Sequence, residues 1–357
     1  MERTRQKFKL TPELEAYHDK IAAQHLAPLW QRLGSLLTPE PVIHSQPHLW
    51  HYDDLRALLL ESADLITAAE AERRVLILEN PGLPGSSAMT ESLFAGLQLV
   101  MPGEVAPSHR HSPAALRFII EGAGAYTAVD GEKLPMHPGD FIVTPSWSWH
   151  DHSHDGDGPF VWLDVLDLPQ VRNTGAIFFE EYPELRYPES RPPEDSFYRY
   201  GVNMVPVDHA TSGTKSPLLC YPYEQTRKAL EHLKQHSALD PFHGLKMEFI
   251  DPTTGGAAIP TISTFIQLLP AGFESATYRS TDGTVFCVVA GTGTVKFGSG
   301  SERTEFRYAP RDIFAVPCWQ AHQFAADEET VLFSASDRAT QAHLGLWRER
   351  RGSDAET

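Results

Sequence analysis

The sequence predicts a mainly β protein: two jelly-roll barrels made from one duplicated unit, with helices ahead of the first barrel and a connecting arm between the two. Three observations predict it. Residues 94–168 consist of short strand-like runs separated by glycine and proline turns. The second half repeats that text in two ordered blocks. GEVAPSHRHS, from Gly103, matches GFESATYRST, from Gly272, 169 residues on, and at the same spacing residues 118–124 fall on 287–293. GDFIVTPSWSWH, from Gly139, matches RDIFAVPCWQAH, from Arg311, 172 residues on, so three residues are inserted in the hairpin between the blocks. A recurring unit of many short strands is a sandwich or barrel of the jelly-roll kind.

The elements follow in order. Thr11-Pro12-Glu13 starts a helix, with a capping residue and then proline in the first turn. Leu14, Tyr17 and Ile21 keep helical spacing, and Leu26, Leu29 and Leu33 continue the apolar side. Residues 53–72 read as helix around Leu55, Leu58, Leu59 and Leu65, and RRVLILENPGLPG then turns into a short apolar run and a turn. In the first barrel Asp130-Gly131 marks a hairpin, Pro138-Gly139-Asp140 a turn, and FIVTPSWSWHDH a strand. Residues 169–222 are rich in proline and aromatics with little periodicity, which suits an arm packing on another domain or subunit. Residues 224–237 read as one exposed helix, and strands resume near Thr261. The expected division is an N-terminal helical segment with a lead-in strand (1–90), barrel 1 (91–168), the arm with its helix (169–257), barrel 2 (258–345) and a tail (346–357).

Bulk properties narrow the function. The 357 residues are 41% hydrophobic and 22% charged, ordinary for a globular chain with a sizeable core. A formal charge of −17 argues against nucleic acid or an anionic membrane as a partner of the whole chain, though not against a small anion in a pocket. The three cysteines, Cys220, Cys287 and Cys318, are far apart and form no scaffold pattern, which fits a reducing compartment. The charged start, MERTRQKFKLTPELEAY, is unlike a signal peptide, and no window approaches the ~20 apolar residues of a membrane span. The expectation is a cytoplasmic protein.

The chemistry concentrates in HRHSPAALRF. Residues two apart on a strand share a face, so His109 and His111 point one way and Arg110 the other. His150 arrives from a later strand. Three neutral imidazoles converging in a barrel would hold a divalent transition metal with positions left open. The second copy has Tyr278, Ser280 and His322 at the matching positions, so His322 reads as a relic without metal. The spacing G-x5-H-x-H followed by P-x4-H resembles the two motifs of the cupin superfamily. The glutamate usual in the first motif is missing, since Ala115 and Leu116 stand there. A site without that carboxylate departs from the oxalate-degrading manganese cupins, and it keeps the full charge of the metal for an anionic chelating substrate.

Within the bicupins, HRHSPAALRFIIEGAGAYTAVDGE, MHPGDFIVTPSWSWHDH and FAGLQLVMPGEVAPSHRH are similar to gentisate 1,2-dioxygenases, over most of the chain. That family also includes salicylate and 1-hydroxy-2-naphthoate dioxygenases. The resemblance implies a bicupin fold, a homotetramer, Fe(II) on His109, His111 and His150, and O2-dependent opening of gentisate to maleylpyruvate. It implies that Arg117, eight residues after His109 at the same parity, binds the substrate carboxylate, where the residue alone reads as a surface arginine. It likewise implies that His152 and Asp164 steer protons, Asp167 being a weaker candidate, and that Gln98, Gly96 and Arg73 line the pocket. Where salicylate-type enzymes have tryptophan this chain has Phe94, which favours gentisate. Trp147 and Trp149 read as barrel core and His154 as surface. A salicylate or hydroxynaphthoate dioxygenase, a non-catalytic cupin binding an aromatic acid, and a metal isomerase or decarboxylase are the alternatives.

Overall fold

The computed structural model describes residues 9–209, 215–298 and 303–355. Residues up to Val42 form one compact unit and those from Ile43 onward another. The first unit holds two helices, α1 (Pro12–Ala22) and α2 (Leu29–Leu36). Thr11 caps α1 as its sequence suggests, its Oγ1 accepting from the Leu14 amide at 3.3 Å.

The second unit holds the two barrels. It opens with β1 (His48–Trp50), α3 (Tyr52–Leu65) and α4 (Ala68–Ala71). The first barrel then runs β2 (Val75–Ile77), β3 (Phe94–Val100), β4 (Val105–His111), β5 (Ala115–Glu121), β6 (Ala125–Val129), β7 (Glu132–Pro135), β8 (Phe141–Thr144), β9 (His150–His154) and β10 (Phe160–Leu166). The β6–β7 hairpin turns at Asp130 and Gly131, with φ of 45° and 82°, as the primed turn of a two-residue hairpin requires. The arm carries α5 (Leu168–Asn173), β11 (Phe179–Glu181), α6 (Asp195–Tyr200), β12 (Cys220–Tyr221) and α7 (Tyr223–His236). The second barrel follows as β13 (Leu245–Glu248), β14 (Ser263–Leu269), β15 (Tyr278–Ser280), β16 (Thr284–Ala290), β17 (Gly293–Phe297), β18 (Thr304–Tyr308), β19 (Ile313–Val316), β20 (His322–Ala326) and β21 (Thr330–Ser336), with α8 (Arg338–His343) and β22 (Glu349–Arg351) last.

Each barrel is two facing sheets. In the first, β12-β8-β5-β10-β3-β2 faces β11-β4-β9-β6-β7; in the second, β1-β19-β16-β21-β14-β13 faces β18-β17-β20-β15-β22. The alternation of side chains assigns three cores. Ile119, Ile142, Phe160 and Trp162 fill the inside of barrel 1, and Phe286, Phe314, Phe324 and Leu332 that of barrel 2. The opposite faces of β5, β10, β16 and β21 meet each other, with Phe118 stacked on Phe333 at 4.1 Å between centroids. The two barrels therefore share a third core.

The repeat reaches further than the two sequence blocks. Helices α3 and α7 start 171 residues apart, at Tyr52 and Tyr223, and each is 14 residues long. The strand before each helix crosses over: β1 pairs with β19 of the second barrel and β12 with β8 of the first. The helix starts are held across the same boundary. Asp312 accepts from the Tyr52 amide at 2.9 Å, and Asp140 from the Tyr223 amide at 2.8 Å. Residues 169–222 show little periodicity in the sequence. The structure has two short helices and two short strands there, too brief to show a period.

Candidate metal centre

β4 carries His109 and His111, and β9 opens on His150. A β-bulge lies between Ala106 and His109: Ala106 stands opposite His152 and His109 opposite His150, so three residues of β4 span two of β9. Without the extra residue His109 would point out of the barrel. The ring centroids are 5.4 Å (His109–His111), 4.5 Å (His109–His150) and 4.9 Å (His111–His150) apart. One nitrogen from each lies within 4.8 Å of the others, and this is the one such group among the described residues.

The tautomers suit a metal. His111 Nδ1 donates to the Pro113 carbonyl at 2.7 Å and His150 Nδ1 to the Ser148 carbonyl at 3.0 Å, so each ring keeps its Nε2 lone pair free. Burial, helped by the cations Arg73 and Arg117, holds the rings neutral: it pushes His109 down to about 2, His111 down to about 4, and His150 well below the usual imidazole range. Three neutral nitrogen donors fit a divalent first-row metal. His109 differs in its partner. Arg73 Nη2 lies 2.8 Å from His109 Nδ1 and 2.6 Å from the Pro107 carbonyl. A guanidinium only donates, so it occupies the ring's single lone pair, and a metal on His109 needs Arg73 to withdraw.

The facing sheet supplies the other candidates. Gly96, Asp164 and Arg117 are paired across β3, β10 and β5. Arg117 is 3% exposed, its Nε 3.6 Å from Asp164 Oδ1, and it donates to Thr144 Oγ1. Burial raises Asp164 to about 6, against the pull of Arg117. Gln98 stands opposite Trp162 and Val75, its Nε2 buried without a partner. His152 packs 5.0 Å from Trp162 and 5.8 Å from His150, with Nδ1 buried and unpartnered. At Gly96 a Cβ would meet Val75 Cγ1 at 2.7 Å, so only glycine lets β2 lie this close.

Some expectations fail. Arg117 is buried rather than on the surface, and parity with His109 has no part in placing it, because the two lie on strands of opposite sheets. His154 is buried, with Nε2 donating to the Gly158 carbonyl. Trp147 and Trp149 lie outside the cores and sandwich the Arg110 guanidinium, 4.5 Å from each ring. Arg279 stacks on Trp319 at 4.8 Å in the second barrel, so an arginine on this tryptophan belongs to the fold. Asp167 accepts from the Ala114 amide just as Asp337 does from the Gly283 amide, a role both barrels share. Two further residues reach the site unannounced by the sequence, Thr144 and Phe179, whose ring is 5.1 Å from His109. Phe179 comes from the arm, where no period points to it.

Residues 96–166 match the Cupin domain family. The chain is 50% identical to gentisate 1,2 dioxygenase 1 of Aquipseudomonas alcaligenes over 97% of its own length and 99% of the relative's. The chain belongs to the gentisate and salicylate ring-cleaving dioxygenases. Members of this family differ in the acid they are named for: a 5-aminosalicylate 1,2-dioxygenase of a Comamonas species is 34% identical over 95% of this chain and 90% of its own. The salicylate 1,2-dioxygenase of Pseudoaminobacter salicylatoxidans, solved with gentisate, superposes with a TM-score of 0.90 at 32% identity, covering 98% of this chain and 96% of that one. As in any family of bicupins, the fold alone does not choose the substrate. No helix among the described residues is long and apolar enough to cross a membrane.

Proposed function

We propose that the chain is an iron(II)-dependent gentisate 1,2-dioxygenase, opening the ring between the carboxylate-bearing carbon and the adjacent hydroxyl-bearing carbon to give 3-maleylpyruvate in aromatic catabolism. The observation that carries this reading is the pairing of a three-imidazole donor set with a buried arginine inside one barrel. His109, His111 and His150 would hold the iron, which when bound supplies the redox chemistry with O2 that side chains lack. Both oxygen atoms end in the product.

The chain's own residues do the rest. Arg117, fixed by Asp164 and Thr144, offers its fork to the substrate carboxylate. Arg73 joins it once drawn off His109. His152 has a free ring nitrogen in a dry wall, suited to hold the proton of the 2-hydroxyl. The spare amide N–H of Gln98 can meet a ring oxygen, and Gly96 leaves the wall bare beside it. Half-buried Phe94, at the start of β3, sets the ring's edge. A cytoplasmic homotetramer completes the proposal.

The second reading is a wider acid range, supported by the salicylate-type and 5-aminosalicylate-type relatives. Oxygen uptake by the Fe(II)-loaded protein with gentisate, salicylate and 1-hydroxy-2-naphthoate separates the two. One O2 per gentisate, with no uptake in His111→Ala, is the expected result. Uptake with all three acids would establish the wider range, and none with any acid despite bound iron would leave a binding protein.

A further inference from the structure

The second barrel has lost its imidazole triad, yet its interior is not an apolar plug. Strand register relates the two interiors position by position. Gln98 stands opposite Val75, and its counterpart Gln267 stands opposite Lys246. Arg117 is replaced by Phe286 and Asp164 by Ser334, the partners of those same strands. The Arg117 cation is thus gone, and a new one enters where the first barrel has valine. The valine shows that the fold itself needs no lysine there.

Lys246 lines a small cavity of about 20 Å³, with Arg338, Asp282, His243, His322 and Tyr278. Neither Lys246 nor Arg338 has a hydrogen bond or ion pair for its charged group among the described residues. Lys246 Nζ rests 4.4 Å from the Phe265 ring centre, and the Arg338 guanidinium lies 3.9 Å from that of Trp347. Asp282, the one carboxylate, already accepts from Trp347 Nε1 at 2.9 Å. Burial pushes Lys246 down to about 8, with Asp282 opposing, so it remains a cation at neutral pH. Burial likewise keeps His243 and His322 neutral, near 2 and 4. His322 Nδ1 donates to the Gln320 carbonyl at 3.0 Å, turning its other nitrogen to the cavity. Two part-buried cations face one carboxylate in a narrow space, and a charge drawn out of bulk water favours a counter-charge.

We propose that the second barrel binds a small monovalent anion of about the size of chloride, held between Lys246 and Arg338. The cavity admits a guest of one or two water volumes, which excludes an aromatic acid or a phosphate. The site replaces the lost metal centre with one of opposite sign.

The test uses the full metal-loaded chain. Crystals grown with bromide in place of chloride should show an anomalous peak within hydrogen-bond reach of Lys246 Nζ. In solution, replacing gluconate, which is too large for the cavity, by chloride at constant ionic strength should raise Tm by about 2–4 °C. That rise should vanish in Lys246→Met. A water without anomalous signal in the bromide crystals would overturn the proposal, and so would an equal chloride response in Lys246→Met. The bromide experiment needs no variant, so a Lys246→Met chain that fails to fold does not remove the test.

Discussion

Arg117 is closed off from solvent with Asp164 and Thr144 as its fixed partners, so its substitutions should act on the substrate and leave the metal alone. Arg117→Met is expected to cut kcat/KM for gentisate at least about 100-fold with metal content unchanged, and Arg117→Lys to recover little, because an ammonium lacks the planar fork. Asp164 titrates near 6, raised by burial, and its ionised form is the one that pairs with Arg117. Activity should therefore stand above that value and fall below it. The acid limb of kcat/KM should show an apparent pKa of about 6, and Asp164→Asn should flatten it. Arg73 competes with a metal for His109. Arg73→Met should bind iron as tightly or more tightly, while KM for gentisate rises about tenfold or more, as titration and steady-state kinetics would show. The triad was legible in the sequence because its spacing is rare. The grip of Arg73 on His109 was not, since it depends on how α4 and β2 approach β4.

At the scale of elements, β4 is aimed from both sides. Its bulge turns His109 inward, and Arg110, between the two histidines, is held by Trp147, Trp149 and Glu180. Arg279 on Trp319 is the control that the duplication provides. Arg110→Ala and Arg279→Ala should lower Tm alike, by a few degrees, but only Arg110→Ala should weaken metal binding, by about 10-fold or more as isothermal titration reads it. Strands and hairpin turns could be read because glycine and proline punctuate them. The β4 bulge was marked only in part, because Pro107 at its centre signals either an edge strand or a bulge without choosing between them. The placement of Trp147 and Trp149 could not be read: an aromatic near a strand end looks the same whether it enters a core or covers an arginine.

At the scale of the whole molecule, the duplicated unit was visible and its mode of assembly was not. Alternation says that β5 and β16 each have two apolar faces; it does not say that one face of each meets the other. Because Phe118 and Phe333 close that shared core, the barrels should unfold together. Phe333→Ala is expected to cost about 3–5 kcal/mol and to shift one cooperative transition seen alike by fluorescence and circular dichroism, rather than to split it in two.

The crossed strands carry a consequence for ancestry. A chain holding one repeat would have had a leading strand with no place in its own sheet, and a helix start whose capping aspartate lay elsewhere. Two such chains would have completed each other by reciprocal exchange. Fusing two such chains end to end would turn an encounter between molecules into a step within one, at high effective concentration, and would free each half to specialise without losing its partner. One half kept its histidines. The other was then at liberty to change what it held inside, provided the face and the strand it lends to its twin stayed as they were.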